Sequence, residues 1–234
     1  MVGTGAAQQA AEGLRERKKR LMRQQLSDTA ARMFLERGFD AVRVADVAQA
    51  CGVSEKTVFN YFPTKEALVL DRLEATTSAL RTGLAERDVR PVEAALRILD
   101  AELHGLTSML AAQPDPAAAV GAYRRFGDMI RTTPSLRAHQ SDMMDRFVAV
   151  AAEVLAARAG LSPTAPEPHI AAAALLGLWR VQFQALRIHL DGTRTPEQVR
   201  GAVTADVHRA AQLVDGGLAS FTAFTAAGAA PWPG

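Results

Sequence analysis

The sequence predicts an all-α protein with a small N-terminal domain and a larger C-terminal one. Near the N-terminus, residues 44–65 predict two short helices joined by a tight turn. Beyond them, apolar residues recur at helical spacing, proline and glycine separate successive segments, and no stretch alternates convincingly as a strand would. A chain of 234 residues with 48% apolar content is large enough to bury a substantial core.

The turn within residues 44–65 has the local chemistry of a helix-turn-helix. Val44 and Val47 recur on one face of the first helix, and Gly52 can adopt the positive φ that the turn needs. Ser54 is a good N-cap, because its hydroxyl can accept a bond from a free backbone N–H of the next helix. The second helix is therefore predicted to begin at Glu55. A second helix in this arrangement reads the major groove of DNA.

The second helix is predicted to have a buried side and a DNA-facing side. Val58 and Phe62 are assigned to the buried side, with Phe59 as a further candidate for it. The polar side chains on the other side differ in length and can hydrogen-bond to bases or phosphates. This outward group comprises Glu55, Lys56, Thr57, Asn60 and Tyr61.

Lys65 is predicted to contact a DNA phosphate. Pro63 ends the second helix and Thr64 caps the next one, so Lys65 falls in a first helical turn, where the helix dipole disfavours a cation. A phosphate bound there would reverse that penalty. A lysine that simply extends into water is the alternative interpretation.

Three motifs in the first third of the chain occur together. They are FLERGF at residues 34–39, CGVS at residues 51–54 and TVFNYFPTKEAL at residues 57–68. Over roughly residues 22–70, the chain resembles the TetR family of bacterial repressors. The resemblance implies an N-terminal three-helix DNA-binding domain, a C-terminal helical ligand-binding and dimerisation domain, and release of DNA when a small molecule binds.

The resemblance also implies a set of DNA contacts. The residues that match the family's usual contacts are Arg43, Val44, Ala45, Glu55, Lys56, Thr57, Asn60, Tyr61 and Lys65. The chain departs from the family pattern at Met22 and Arg43, where threonine is common. At Arg43, a hydroxyl cap is thereby replaced by a cation that can reach a phosphate.

Positive charge is concentrated at the N-terminal end. The formal net charge is only +2, but all four lysines lie within the first 65 residues. The densest basic run contains Arg15, Arg17, Lys18, Lys19, Arg20 and Arg23. Beside a helix-turn-helix, this run is predicted to form an arm that touches the DNA backbone or minor groove, with a solvated tail as the alternative. Residues 1–13 lack the apolar region of a signal peptide and are predicted to be disordered.

Proline and glycine set the helix boundaries in the C-terminal part. A long helix over residues 65–87 is predicted to connect the two domains, so that movement in one is felt by the other. Further helices are predicted to begin at Pro91, Pro116 and Pro134, each with proline at its first position. The helix from Pro134 is predicted to close at Gly160.

Two more helices complete the predicted fold. A proline-rich loop precedes a helix over residues 169–190, and the last helix begins at Thr195, where Pro196 and Gln198 complete a capping box. The predicted divisions are a disordered tail at 1–13, a DNA-binding domain at 14–70, a ligand-binding and dimerisation domain at 71–221 and a low-complexity tail at 222–234.

The last two predicted helices have the pattern of a dimer interface. The final helix carries one apolar stripe and the preceding helix is apolar on most of its circumference, so both need cover. A four-helix bundle of two copies would supply it, and this homodimer would bind a roughly palindromic double-stranded DNA operator. A core within one chain is the alternative. The residues concerned are Leu175, Leu178, Trp179, Phe183, Leu186, Val199, Val203, Val207, Ala210, Val214, Leu218 and Phe221.

The sequence argues against several other functions. The five histidines do not pair at helical spacing and the lone Cys51 provides no zinc site, so neither a metal nor another cofactor is expected. No phosphate-binding glycine loop or nucleophile motif is present, and no enzymatic activity is expected. The longest uncharged run, residues 170–179, is too short for a membrane helix, which needs about twenty residues. A cytoplasmic protein without membrane association is therefore expected.

A small, largely apolar effector is predicted to bind within the C-terminal helices. Aromatic and methionine side chains could line a cavity there, with polar side chains as handles, although each is also compatible with plain core. Arg124 or Arg125 would suit a ligand with a carboxylate or phenolate. The candidates are Tyr123, Phe126, Met129, Ile130, Met143, Met144, Phe147, Trp179 and Phe183, with His104, Arg124 and Gln182 as handles. A ligand-independent repressor or architectural DNA-binding protein is the alternative function.

Overall fold

A computed structural model describes residues 13–70 and 73–226 of the chain. Within these residues it contains nine α-helices, one short 3₁₀ helix and no β-strand, which confirms the all-α prediction. The helices are α1 (Leu14–Arg37), α2 (Val44–Ala50), α3 (Glu55–Tyr61), α4 (Leu73–Ala85), α5 (Pro91–Ala111), α6 (Pro116–Thr132), α7 (Pro134–Ala159), α8 (Pro166–His189) and α9 (Pro196–Ala226), with the 3₁₀ helix at Glu66–Leu68.

The described residues divide into two compact units. The N-terminal unit contains residues 13–70 together with residues 129–139, and the C-terminal unit contains residues 73–128 and 140–226. The sequence did not predict that residues 129–139 belong with the DNA-binding part. As a consequence, α6 and α7 each contribute residues to both units.

The N-terminal unit is built on α1. Contacts run from α1 to α2, from α2 to α3, and from α1 to the 3₁₀ helix, which confirms the predicted three-helix domain. The aromatic rings of Phe34 and Phe39 lie with their centroids 5.1 Å apart at its centre. The buried apolar residues around them are Leu26, Ala30, Met33, Val42, Val47, Ala48, Val58, Phe62, Leu68 and Val69.

The predicted continuous helix over residues 65–87 is wrong. The backbone forms the 3₁₀ helix at Glu66–Leu68, Leu70 lies outside regular secondary structure, and α4 is a separate helix at Leu73–Ala85. Burial explains the interruption, because Leu68 and Val69 anchor this turn in the core of the N-terminal unit. The Leu68 carbonyl also accepts a bond from the Ser27 hydroxyl at 3.4 Å, so α1 holds the turn in place.

Most of the described part of the apolar stripes of α8 and α9 is covered within one chain, which favours the alternative of an intrachain core for these residues; the side chains of Leu218 and Phe221 lie outside the described ones. The two helices pack against each other and against α5. The side chains of Val199, Val203 and Val207 are 1%, 0% and 3% exposed, and Leu175 and Leu178 are also buried. A charge placed at Val203 would therefore disrupt the core of a single chain rather than report on dimerisation.

Most helix ends follow the predicted signals. Helices begin at Pro91, Pro116 and Pro134 as predicted, and the Thr195 N–H and Gln198 N–H bond to each other's side chains at 2.9 and 3.3 Å. Two boundaries differ. The helix predicted to start at residue 169 starts at Pro166, because prolines fit in the first helical turn. Helix α9 continues to Ala226, so residues 222–226 are helical rather than tail, while residues 1–12 and 227–234 lie outside the described residues.

The carboxyl end of α4 is capped by a distant arginine. The guanidinium group of Arg158, near the end of α7, donates to the carbonyl oxygens of Glu86 at 2.9 Å and Arg87 at 3.1 Å, and to that of Leu84 at 3.4 Å. The last carbonyls of a helix have no partner within the helix. Arg158 supplies one, and it thereby ties α7 to the end of α4.

Candidate functional site

The turn between α2 and α3 has the predicted geometry. Gly52 adopts a φ of +67°, in the region that favours glycine. The Ser54 hydroxyl accepts from the Thr57 backbone N–H at 3.1 Å and lies 2.9 Å from the Thr57 hydroxyl. Helix α3 therefore begins at Glu55, and its first turn is held by Ser54 as a side-chain cap.

The outer side of α3 is polar, with one exception. Glu55, Lys56 and Asn60 are exposed, Thr57 and Tyr61 are half-buried, and the inward Val58 and Phe62 are fully buried. The assignment of Phe59 to the buried side is wrong, because its side chain is 47% exposed. Val58 and Phe62 are four residues apart and lie on one face, and Phe59 is rotated by just over a quarter of a turn from Val58.

Arg23 fixes the far end of α3, a role that the sequence did not reveal. Its guanidinium group donates to the Tyr61 carbonyl oxygen at 2.9 Å and lies 4.7 Å from the centroid of the Phe62 ring. Both contacts hold the carboxyl end of α3 against α1. Spacing gives no signal for such a contact, because Arg23 and Tyr61 are separated by 38 residues.

The basic run that was predicted as an arm lies in helix α1. Residues 14–23 all belong to this helix, and Arg17, Lys18, Lys19 and Arg20 are exposed along it. The run is therefore helical rather than a solvated tail, and its contact with DNA stays a prediction. Four cations on the first turns of a rigid helix can still meet a DNA backbone.

Lys65 lies above two aromatic rings rather than extending into water. Its ammonium nitrogen is 4.2 Å from the centroid of the Phe39 ring and 5.8 Å from that of Phe34. The side chain is half-buried, and the residue is the N-cap of the 3₁₀ helix instead of lying in the first turn of a long helix. A cation over an aromatic face is stabilised by the quadrupole of the ring.

Arg43 is paired with Asp46. The Asp46 carboxylate accepts from the Arg43 backbone N–H at 2.8 Å and from its guanidinium group at 3.1 Å. The guanidinium hydrogen bond holds the pKa of the Asp46 carboxyl below its usual value, and the same pairing raises the pKa of Arg43. Asp46 thus caps the start of α2 where the family commonly has threonine at position 43. Val44, beside this pair, is half-buried.

The predicted effector residues are only partly brought together. Met143, Phe147, Trp179 and Gln182 are buried in the C-terminal unit, and Met144 lies in the same core. Tyr123 and Phe183 pack against this core, and Phe126 is half-buried. Met129 and Ile130 belong to the N-terminal unit. The handles His104, Arg124 and Arg125 are exposed, and Arg124 donates to the Asp191 carbonyl oxygen at 2.9 Å.

Sequence reasoning missed Glu102 as an interior polar group. Its carboxylate accepts from the Thr76 hydroxyl at 2.8 Å and from the Trp179 indole N–H at 3.1 Å. These two bonds connect α4, α5 and α8. The sequence did contain a signal for this position. Glu102 lies three residues after Leu99 and four residues before Leu106, which places it on the apolar face of α5.

Two further findings concern metal sites and membrane-spanning helices, both of which the sequence argued against. Within residues 13–70 and 73–226, no three His, Cys, Asp or Glu side chains lie close enough to hold a metal ion. Among the helices of that same part of the chain, none has both the length and the apolar character of a membrane span.

The glycine turn, the serine cap and the polar outer face of α3 define a helix-turn-helix DNA-binding protein. Comparison with known proteins gives its family. The model described as bacterial regulatory proteins of the tetR family matches residues 26–71, and the model described as the MftR C-terminal domain matches residues 96–203. The chain belongs to the TetR family, whose members are transcriptional regulators and not enzymes.

Individual relatives are distant. The HTH-type transcriptional regulator TcmR of Streptomyces glaucescens is 30% identical over 159 residues, which span 64% of this chain and 65% of TcmR, just under two thirds of its length. The HTH-type transcriptional regulator EthR of Mycolicibacterium smegmatis is 25% identical over 183 residues, or 75% of this chain and 79% of EthR. The solved SmeT–triclosan complex matches with a TM-score of 0.51 at 15% identity, covering 84% of this chain and 91% of SmeT, and shows the same fold.

Arg23→Met is expected to destabilise the protein by about 1 to 3 kcal/mol, because it leaves the Tyr61 carbonyl without its charged donor while keeping the apolar stem. Urea unfolding measures the loss. Arg17→Met is the matched control, since Arg17 is an exposed arginine of the same helix. Equal unfolding free energies for the two variants would show that Arg23 does not support α3.

Proposed function

We propose that this protein is a sequence-specific DNA-binding transcriptional regulator, and more narrowly a repressor that leaves its operator when a small, largely apolar ligand binds. The observation that supports it best is the outer face of α3. Glu55, Lys56, Thr57, Asn60 and Tyr61 present hydrogen-bonding groups on a helix held at both ends by Ser54 and Arg23. The proposed place of action is the cytoplasm, where a bacterial operator is found.

In this proposal α3 enters the major groove of DNA, and its side chains make different kinds of contact there. The shorter Thr57 and Asn60 and the longer Glu55, Lys56 and Tyr61 reach base edges and phosphates at different depths. The exposed Phe59 ring offers an apolar surface of the kind that contacts a thymine methyl group. Arg43 and Val44, at the start of α2, contact the backbone.

Lys65 binds a phosphate in this proposal. The rings of Phe39 and Phe34 hold its ammonium group in place, so little side-chain entropy is lost when a phosphate arrives. A phosphate attracts the ammonium more strongly than a ring face does, because it carries a full negative charge.

Lys65→Met should weaken binding to every DNA sequence and lower the salt slope by about one ion per lost phosphate contact and subunit. Filter binding or anisotropy over a salt series measures both. Phe39→Leu is the control for the folding effect, because it removes the main ring contact and keeps the cation. Its salt slope should equal that of the parent protein. An unchanged slope for Lys65→Met would remove the phosphate assignment.

The protein is proposed to act as a homodimer through the exposed faces of α8 and α9, not through their buried stripes. Apart from the exposed Arg180 on α8 and His208 on α9, both faces consist mainly of small, apolar and amide residues, so two copies can approach closely as a four-helix bundle. These residues are Ile170, Ala173, Gly177, Gln184 and Ile188 on α8, and Gly201, Ala205, Gln212 and Gly216 on α9. A symmetric dimer would place two copies of α3 on half-sites about one helical turn or more apart.

Gly177→Arg is expected to produce a monomer and to lower operator affinity, because the dimer loses the second half-site contact. A Cβ atom added at Gly177 meets no atom within 4 Å in the single chain, so there is room for a side chain to start from this position. Gly105→Arg on α5 is the matched control, since it is equally open. Sedimentation equilibrium gives the masses. A dimer that persists in Gly177→Arg would place the interface elsewhere.

Ligand binding in the C-terminal unit is proposed to reach the DNA through α6 and α7. These helices supply residues 129–139 to the N-terminal unit, where Leu136 is fully buried. In this proposal α6 and α7 take the connecting role that was predicted for a continuous helix over residues 65–87. A ligand needs a differential affinity of only a few kcal/mol to shift such an equilibrium by orders of magnitude, and DNA must weaken the ligand equally.

Screening apolar small molecules for operator release tests the repressor mechanism. SmeT, which shares the fold, is known in complex with triclosan, which makes drug-like compounds a reasonable start. At least one compound that stabilises the protein against heat should also reduce operator affinity, measured by anisotropy. If compounds bind the protein and leave operator affinity unchanged, the ligand-independent repressor takes the place of this mechanism.

A further inference from the structure

We infer that the effector site takes a lipophilic amine in its protonated form, bound through the carboxylate of Glu102. The inference rests on the ligand-responsive regulator proposed above and specifies the chemical class of its ligand. It reverses the charge that the sequence suggested, because the arginines considered as handles are exposed and the interior acid was not recognised.

Glu102 is a half-buried carboxylate with only neutral partners. Its two oxygens accept from the Thr76 hydroxyl and from the Trp179 indole N–H, and neither donor carries charge. Among the described residues, no lysine, arginine or histidine forms an ion pair with it. A carboxylate removed from water is unfavourable unless an opposite charge compensates it. A cationic ligand would provide that charge.

Gln182 provides a second polar group, on the face of α8 that carries Trp179. Its side chain is 4% exposed and makes no hydrogen bond to any described residue. It lies three residues after Trp179 on α8, so the two side chains are neighbours on one helix face. Its amide atoms remain accessible, because the one fully enclosed side-chain nitrogen or oxygen without a partner among the described residues is Nδ1 of His189. A ligand that donates N–H groups could therefore bond to the Gln182 oxygen.

The chemistry of the two groups selects an ammonium over a quaternary cation. A carboxylate has about four lone-pair positions, of which the two observed bonds occupy two, and the Gln182 oxygen is a further acceptor. A protonated primary amine carries three N–H donors, enough to supply both kinds of acceptor. Trp179, Phe147 and Met143 are buried in the same core and suit an apolar body, with the indole face adding attraction for the cation.

No fully buried side chain in the described part of the core is a cation, and the half-buried His189 and Arg158 already bond to Asp206 and to backbone carbonyls. The buried polar or charged side chains found there are Thr76, Thr107 and Gln182, none of which is a cation. The Thr107 hydroxyl is already used, since it donates to the backbone carbonyls of Leu103 and His104. A carboxylate ligand would meet Glu102 without a compensating charge.

Three probes that share a ten-carbon chain and differ in their head group test the inference on the full-length protein. Decylamine, decanoate and 1-decanol are titrated by calorimetry below their aggregation concentrations. Decylamine should bind at least about tenfold tighter than decanoate, as expected for a charge-assisted hydrogen bond. Glu102→Gln should weaken decylamine by about tenfold or more and leave 1-decanol unchanged. Asp100→Asn, which removes an exposed carboxylate from the same helix, should change neither.

A second measurement needs no variant of Glu102. The Trp179 indole N–H signal, assigned in a ¹⁵N spectrum with Trp179→Phe, should shift with decylamine and not with decanoate. Equal or tighter binding of decanoate, an unchanged decylamine affinity in Glu102→Gln, or no binding of decylamine overturns the amine assignment.

Different results would contradict the proposed regulation by a ligand. If decanoate or 1-decanol binds and releases the operator, the regulator stands and only the ligand class is wrong. If decylamine binds in a Glu102-dependent way and the operator complex is unaffected, the amine site stands and the ligand-responsive mechanism is wrong.

Discussion

The DNA-reading surface depends on how the ends of one very short helix are held. Helix α3 has seven residues, too few to be stable in isolation, since helices shorter than about twelve residues are marginal in water. Ser54 satisfies a free N–H group at its start, and Arg23 satisfies a free carbonyl at its end while covering the Phe62 ring. Val58 and Phe62 fix its rotation by burial. The positions of the outer side chains follow from these contacts, and sequence preference therefore depends on residues that need not touch DNA.

Local chemistry was sufficient to predict the site's backbone. Gly52, Ser54 and the proline starts of α5, α6 and α7 act within a few residues of chain, and the structure places them as predicted. Features that depend on distant partners were not predictable in the same way. A helix pattern at residues 65–87 could not reveal that Leu68 and Val69 belong to another core, nor could the stripe through Val203 reveal whether its partner lies in the same chain or a second one. Phe59 shows that apolar character alone does not assign a side of a helix.

The polar network in the C-terminal unit was likewise not predictable from local sequence, because its members are distant in the chain. Glu102, Thr76 and Trp179 come from three helices and meet only when these helices pack. A stable core of this size could be made without a carboxylate, because replacing buried polar groups with apolar ones is often neutral or stabilising. Recognition of a ligand, as inferred above, would give this polar network a role that stability does not require.

Helix α7 is anchored at both ends. Leu136, in its first turn, is buried in the N-terminal unit, and Arg158, in its last turn, caps the carbonyl groups that follow α4. Its 26 residues form a rod of about 39 Å at the usual helical rise. A helix transmits displacement only while it is stiff, so the proposed response of DNA binding to a ligand would depend on the helicity of α7 along its whole length. Local unwinding in the middle of α7 would then uncouple ligand binding from DNA binding while leaving each of them intact.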